Sequence, residues 1–281
     1  MLDGLRQQGY IEGKNLTVER RYGSAPGERV EQLAGELAAM SLDAVLTTCT
    51  PTTTIAKRAM PSTPIVMAAV SDPVGVGLIA SLRRPGGNVT GLSSQGEELL
   101  PKMFELFSMV LPRATVVAVL GNLRNPAHVR MWQKMNSLKQ VEALNLRLRK
   151  TEVSNPADVP EALDAAERDR ARALLVLGDD PLMLNQRTLI VQLAAKHRLP
   201  DFYWAREFVD DGGLMSYGEN LRGSYRGAAS YIARVARGAK PGELPVAQPT
   251  RFELVLNRKT AKTLGLVLPE DLMLLADEVI G

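Results

Sequence analysis

Four continuous apolar runs, each followed by a helical pattern, constrain the fold of this chain more than any other feature. The runs cover residues 44–46, 65–70, 116–120 and 173–177. Strands that are buried on both faces are continuously rather than alternately apolar, and strands that alternate with helices form parallel sheets. The pattern therefore predicts an α/β protein built on parallel sheets.

The length and spacing of these elements predict two lobes. A chain of 281 residues is long for one average domain and short for three. The helical pattern at residues 97–110 lies where one set of strands stops and the next begins, and residues 237–248 have the composition of a linker. We expect residues 1–94 and 211–243 in the first lobe, and residues 95–210 and 244–281 in the second. Leu16 and Val18 alternate with polar residues, which predicts a further strand near a sheet edge.

A small polar residue followed by proline comes after each apolar run: Thr50, Asp72, Asn125 and Asp180. Threonine, aspartate and asparagine cap helices, and proline is favoured at the first helical position. We therefore predict four helix starts at the carboxyl ends of strands, where open α/β sheets bind ligands. If the two halves face each other, the four turns converge on one cleft. A capping role alone accounts for any one of these residues, but not for the surplus polar neighbours Thr48, Thr52, Ser71, Asn122 and Asp179.

Catalytic, metal and nucleic-acid sites are poorly supported by the sequence. The net charge is +3 and the basic residues are scattered among 31 acidic ones, so no nucleic-acid-binding stripe stands out. The single cysteine, Cys49, excludes an internal disulfide framework and is expected to be a small wall residue of the cleft. His128 and His197 fall in predicted helices and are interpreted as packing or surface residues. We predict no enzyme activity, no catalytic residues, no metal and no cofactor.

Several segments resemble a known family. They are residues 9–15 (GYIEGKN), 71–74 (SDPV), 84–91 (RPGGNVTG), 205–209 (AREFV), 212–218 (GGLMSYG) and 252–257 (FELVLN), and together they span nearly the whole chain. The sequence resembles the ABC transporter substrate-binding proteins whose best-understood members bind tryptophan or tyrosine. The resemblance implies the type I periplasmic-binding architecture, with two Rossmann-like lobes and a hinge cleft.

The resemblance also implies a function and a set of ligand contacts. The protein would capture a small polar solute, an amino acid or a related metabolite with an aromatic one among the options, and deliver it to ABC permease and ATPase subunits. By analogy with amino-acid binders of this fold, the threonines at 48, 50 and 52 would meet a carboxylate, and Asp72 or Asp179 would pair with an ammonium group. Aromatic walls would come from residues 203, 204 and 217. The expected ligand-binding set is Thr48, Cys49, Thr50, Thr52, Ser71, Asp72, Asn122, Asn125, Asp179, Asp180, Tyr203, Trp204 and Tyr217.

The sequence departs from the family at its start. No secretion signal precedes Leu2, and a family member would carry an apolar strand before the helix in which Met1 falls. For the full-length protein we expect a monomer in the periplasm, or a lipid-anchored one outside the cytoplasm, with no nucleic-acid partner. Two alternatives remain at this point: a cytosolic ligand-sensing domain of the same fold, and an α/β enzyme that uses the region of Asp179 and Asp180.

Overall fold

The computed structural model describes residues 1–23, 28–112 and 115–281. The elements in residues 1–95 are α1 (Leu2–Gln7), α2 (Glu28–Ala38), β1 (Val45–Thr47), α3 (Thr50–Ala59), β2 (Ile65–Val70) and β3 (Val89–Ser93). Those in residues 96–220 are α4 (Gly96–Ser108), β4 (Val116–Gly121), α5 (Pro126–Asn136), α6 (Lys139–Ala143), β5 (Arg147–Glu152), α7 (Val159–Arg168), β6 (Ala173–Val176), α8 (Pro181–Asn185), α9 (Arg187–Lys196), β7 (Asp201–Tyr203), α10 (Arg206–Asp210) and β8 (Met215–Gly218). Those in residues 221–281 are α11 (Leu221–Ala236), β9 (Glu253–Asn257), α12 (Arg258–Leu264), α13 (Glu270–Leu275) and β10 (Glu278–Ile280).

The chain forms two compact units. The first contains Met1–Gln95 and Leu221–Thr250, and the second contains Gly96–Asn220 and Arg251–Gly281. The boundaries predicted from the sequence assign residues 211–220 to the first lobe and 244–250 to the second. In the structure β8 lies between β7 and β9 in the sheet of the second unit. The backbone N–H of Val246 donates to the Leu82 carbonyl of the first unit. Residues 211–220 therefore belong to the second unit and residues 244–250 to the first, the reverse of the prediction.

In the first unit the described residues form a parallel sheet of three strands in the order β1-β2-β3. Every residue of β2 is buried because helices cover both faces of this strand. Ile65 and Met67 pack with Ala56 of α3, whereas Val66 and Ala68 pack with Ala228 of α11. Burial on both faces explains the continuous apolar run in the sequence.

The strand predicted at Leu16 and Val18 does not form in the described part of the chain. An isolated bridge between Glu12 and Leu16 is present instead. An alternating pattern has strand geometry only when a neighbouring strand takes up its backbone hydrogen bonds. In the described residues, neither β1 nor any other strand pairs with this segment.

The described residues of the second unit form a seven-stranded sheet in the order β10-β9-β8-β7-β6-β4-β5. Neighbouring strands are parallel except β8 and β9, which are antiparallel. The core lies between this sheet and α4, where Phe107 meets Phe202 edge to face with 5.3 Å between ring centroids. The sheets and their helices confirm the α/β fold with parallel strands that the sequence predicts.

Candidate functional site

In the first unit, a threonine-rich turn joins β1 to α3. Helix α3 begins at Thr50, so its N-cap is Cys49 rather than Thr50 as predicted, and the Cys49 side chain makes no capping hydrogen bond. Thr50 is fully buried and Thr48 is exposed. The half-buried Thr52 has its hydroxyl 3.1 Å from the Cys49 thiol. The turn therefore presents Thr48 and part of Thr52 at its surface, while Cys49 and Thr50 pack inward.

The second turn of the first unit follows β2 at the same edge of the sheet, because β1 and β2 are parallel. Ala69 has a left-handed backbone (φ 68°), and the register between β2 and β3 shifts between Met67 and Val70. Non-glycine residues in this conformation are uncommon, and the strain concentrates at functional turns. Ser71 follows and is buried, and Asp72 is half-buried.

Asp72 does not start a helix, and the prediction that it does is wrong. Its Oδ1 accepts a hydrogen bond from the Gly75 N–H (2.8 Å), and residues 73–77 form turns. Gly77 then adopts a left-handed conformation (φ 74°) that a helix cannot continue. The Asp-Pro pair thus forms a turn that is closed by the aspartate side chain. The same pair of residues is also typical of a helix N-terminus, so the sequence does not distinguish the two.

In the second unit, the turns after β4 and β6 are joined by a buried side-chain network. The amides of Asn122 and Asn125 donate to Asp180 Oδ2 (3.1 and 3.2 Å), and Asn125 Nδ2 also donates to the Asp179 carbonyl (2.7 Å). Asn125 caps α5 through Ala127 N–H and Asp180 caps α8 through Leu182 N–H. These two helix starts are therefore confirmed. Both carboxylate oxygens of Asp180 therefore accept hydrogen bonds from within the protein, and both polar atoms of the Asn125 amide make hydrogen bonds within it.

Asp179 differs from its neighbour in conformation. Its backbone is left-handed (φ 65°), in the same region as that of Ala69, which lies near the end of β2 in the first unit. Any residue with a Cβ pays a steric cost in this conformation, although aspartate adopts it more readily than most residues do. The bond from Asn125 Nδ2 to the Asp179 carbonyl is one restraint on this backbone. Each unit thus carries a residue with a left-handed backbone at or next to one of its polar turns.

His128 is part of this network, a role that was not predicted from the sequence. The ring is fully buried; its Nδ1 accepts a hydrogen bond from the Asn122 N–H (2.8 Å), and its Nε2 lies 2.6 Å from the Gly178 carbonyl. It thereby ties the turn after β4 to the turn after β6. The only available signal was its position three residues after the Asn125 cap, which directs a side chain back over the first turn.

Trp204 lies beside the same turns, immediately after β7. A Cβ on Gly178 would lie 2.6 Å from the indole Cγ and Cδ2, so the absence of a side chain at Gly178 lets the ring rest on the turn. The ring also meets Phe208 edge-on, with 6.4 Å between centroids. Its Nε1 is buried, and no residue in the ranges 1–23, 28–112 and 115–281 accepts a hydrogen bond from it. A buried donor without an acceptor costs about 1–3 kcal/mol, so this N–H would favour an incoming acceptor.

The other two aromatic candidates have different surroundings. Tyr203 is fully buried, stacks on Phe208 (4.4 Å between centroids) and donates its hydroxyl to Asp201 (2.7 Å). Tyr217 is half-buried and packs against Phe252. Both are held by the core of the second unit, and Trp204 is the aromatic residue next to the polar turns.

Two kinds of feature are absent from the described residues. These residues contain no group of three or more histidine, cysteine, aspartate or glutamate side chains placed to hold a metal ion. None of the described helices combines the length and the apolar character that crossing a bilayer requires. A surface groove of about 450 Å³ runs between β5 and α7, lined by Lys150, Glu152, Glu161 and Ala165 among others, and no predicted site residue lines it.

The two α/β units define a class of protein. Parallel sheets that alternate with helices, and three passages of the chain between the units, are features of the type I periplasmic binding proteins. The model of the family described as ABC transporter substrate binding protein matches residues 1–280. The chain belongs to this family. Its members bind solutes and are not enzymes, which confirms the prediction of no enzyme activity and does not favour the two alternatives.

Similar proteins include both sequences and solved structures. A tyrosine-binding protein of Clostridioides difficile (strain R20291) is 24% identical over 272 residues, which cover 94% of this chain and 75% of that protein. A conserved domain protein of Vibrio cholerae O1 biovar El Tor has a TM-score of 0.90 and 28% identity over 99% of this chain and 92% of that one. An ABC domain of Streptococcus pneumoniae in complex with L-Trp has a TM-score of 0.89 and 24% identity, with the same coverage of 99% and 92%.

Proposed function

We propose that this protein captures an aromatic amino acid, tryptophan or tyrosine, and passes it to an ABC-type importer. The observation that carries the proposal is Trp204, an indole at the carboxyl edge of a parallel sheet with a buried N–H that no described residue accepts. An aromatic amino acid would supply a π-face for the ring and polar groups for the adjacent turns. The names of the C. difficile and S. pneumoniae relatives, a tyrosine-binding protein and a complex with L-Trp, support this solute class.

The roles of the turn residues follow from what each side chain already does inside the protein. Thr48 and Thr52 stand at the start of α3, where a helix N-terminus attracts a carboxylate. Asp72 and Asp179 are the carboxylates that we assign to the ammonium group. Asn125 and Asp180 are committed to caps and to each other, so we assign them to support rather than to contact.

The remaining features of the proposal follow from the family. We infer that the polar turns hold the solute and that the protein acts as a monomer outside the cytoplasm, periplasmic or lipid-anchored. Its partners would be the permease and ATPase subunits of the transporter. No nucleic acid is involved in this function.

A ligand series tests the proposal. L-Tryptophan and L-tyrosine should raise the melting temperature, because a ligand at 100 times its Kd stabilises the folded protein by about 2.7 kcal/mol. Tryptamine lacks the carboxylate and indole-3-propionate lacks the ammonium group, so each should bind much more weakly. Calorimetry at one protein concentration gives the stoichiometry, expected to be one. Equal shifts with all four compounds, or none with the two amino acids, would contradict the proposal.

Trp204 gives a more local test, because the chain has only two tryptophans. Trp132 lies in α5 under the Lys150 ammonium group, 5.1 Å from its ring centre. We expect Trp204→Phe to weaken L-tyrosine binding about tenfold, by removing the indole donor. The matched variant Trp132→Phe should bind L-tyrosine with wild-type affinity. The fluorescence emission of its remaining tryptophan, Trp204, should still change when L-tyrosine is added. Wild-type affinity in Trp204→Phe would show that the indole N–H has no part in binding.

A further inference from the structure

We propose that His128 is a positioning residue that holds two solute-facing turns together, and that acid weakens solute binding by protonating its ring. The inference rests on the proposed function, since it concerns the affinity of the same site. His128 lies in α5 beneath the turns and touches backbone groups of both. It acts on the solute only through them.

The two hydrogen bonds of the ring define its protonation state. A backbone N–H can only donate, so Nδ1, at 2.8 Å from Asn122 N, must carry a lone pair. A carbonyl oxygen can only accept, so Nε2, at 2.6 Å from Gly178 O, must carry the proton. The neutral ring with the proton on Nε2 satisfies both bonds. No other state does.

The two backbone groups that are hydrogen-bonded to the ring belong to residues that contact or adjoin the proposed solute-binding side chains. Asn122 carries the amide that reaches Asp180, in the turn that places Asp179. Gly178 is the surface on which the indole of Trp204 rests. The ring also sits close under the β4 strand, because a Cβ on Gly121 would be 3.3 Å from Nδ1. The position of His128 therefore determines the spacing between the carboxylate turn and the aromatic wall.

Protonation would break one of these links. A proton on Nδ1 would point at the Asn122 N–H, so two donors would face each other at a distance set for a hydrogen bond. Burial lowers the pKa of His128, and the negative charge of Asp180 on the β6–α8 turn opposes that effect. The turn after β4 and the end of β6 contribute the Asn122 N–H and the Gly178 carbonyl, which are uncharged. The neutral ring is thus favoured at neutral pH, and the link is lost only as the pH falls below the ordinary value for histidine of about 6.5.

Side-chain replacements separate positioning from simple packing. Asparagine places an oxygen where Nδ1 lies and can still accept from Asn122, but it does not titrate; alanine removes both links. His197→Gln is the matched control, because the second histidine lies after α9, where its ring contacts Asp164 and Glu167 rather than the turns. L-Tyrosine affinity is measured by calorimetry between about pH 7.5 and about pH 5.

We expect wild type and His197→Gln to lose affinity together as the pH falls. His128→Ala should bind about tenfold more weakly at neutral pH, and His128→Asn should recover most of that loss with an affinity that no longer depends on acid. If His128→Asn follows the wild-type pH profile, or if wild type shows none, the inference is wrong. A wild-type protein that binds neither aromatic amino acid would refute the proposed function alone.

Nuclear magnetic resonance tests the ring without any ligand, which keeps the inference testable in that last case. With only two histidines, selective ¹⁵N labelling of their rings gives two sets of signals, and His197→Gln assigns them. The His128 ring should be neutral with the proton on Nε2 at neutral pH, and the amide signal of Asn122 should shift when that ring titrates. A proton on Nδ1 at neutral pH, or an Asn122 amide that ignores the titration, would overturn the positioning role.

Discussion

Gly218→Ala should cause one of the largest losses of stability available from a single methyl group in this protein. Gly218 ends β8, and a Cβ there would lie 1.8 Å from the Trp204 carbonyl oxygen and 2.8 Å from its carbonyl carbon. These are backbone atoms, so no side-chain rotation relieves the overlap. Overpacking of a buried site costs about 1–3 kcal/mol and occasionally more, and we expect the upper end of that range. Because the atoms that must move belong to Trp204, affinity for L-tyrosine should fall as well.

A second glycine provides the control for this experiment. Gly35 lies in α2 and a Cβ there meets nothing within 4 Å. Alanine is favoured over glycine in a helix by about 1 kcal/mol, so Gly35→Ala should be neutral or stabilising and should leave affinity unchanged. Urea unfolding compares the three proteins. A Gly218→Ala protein with wild-type stability would mean that β7 and β8 are farther apart than described.

The elements that were predicted well are those whose residue pattern is carried by neighbours in the sequence. Residues 65–70 are apolar throughout because α3 and α11 cover both faces of β2, and the strand has the predicted bounds. The caps Asn125 and Asp180 were also predictable, since the capping bond joins residues two positions apart. In both cases the pattern that allowed the prediction lies within a few adjacent residues of the sequence.

The features that the sequence did not predict depend on distant partners. Leu16 and Val18 alternate like a strand, but no described strand pairs with them. The assignment of β8 to the second unit depends on its antiparallel pairing with β9, which lies some forty residues further along the chain. His128 bonds to Gly178, fifty residues away. Which residue meets which across such separations is decided by the packed fold and not by the local pattern.

The candidate site was likewise predicted in part: the positions of its turns were predicted, and the roles of its side chains were not. The polar turns after β1, β2, β4 and β6 were found from the sequence, and each lies at the carboxyl edge of the sheet in its own unit. The individual roles of their side chains could not be predicted. A residue whose side chain caps a helix and one whose side chain contacts a solute can be of the same type and follow a strand in the same way. Asp179 and Asp180 are adjacent, yet the Asp180 carboxylate accepts hydrogen bonds from three groups, the amides of Asn122 and Asn125 and the Leu182 N–H. Asp179 instead has a left-handed backbone, and its carbonyl oxygen accepts from Asn125. That the turns of both units serve one solute remains a prediction.

The second large effect concerns Asp201, a carboxyl group in the core of the second unit. It is buried beneath Tyr203, whose hydroxyl donates to Oδ2 (2.7 Å), and it accepts the Leu214 N–H at Oδ1 (2.5 Å). Burial raises the pKa of Asp201 from its ordinary 3.8 to about 6, and the two hydrogen bonds only partly oppose this. The folded protein therefore keeps a proton between about pH 4 and pH 6 that the unfolded chain has released.

The sign of the resulting pH dependence follows from that difference in bound protons. Where the folded state binds more protons, the free energy of unfolding falls as the pH rises, so the contribution of Asp201 is greatest below about pH 4 and is lost by about pH 6. A shift of about two pH units corresponds to about 3 kcal/mol. Asp201→Asn keeps an oxygen for the Leu214 N–H and does not titrate, and its amide can donate to the Tyr203 oxygen. The difference in unfolding free energy between wild type and Asp201→Asn should therefore change by about 3 kcal/mol across this window, in favour of the variant at neutral pH. Tyr203→Phe removes one donor from the carboxylate and should move the window to higher pH, whereas a difference that stays constant with pH would show that Asp201 is ionised in the folded core.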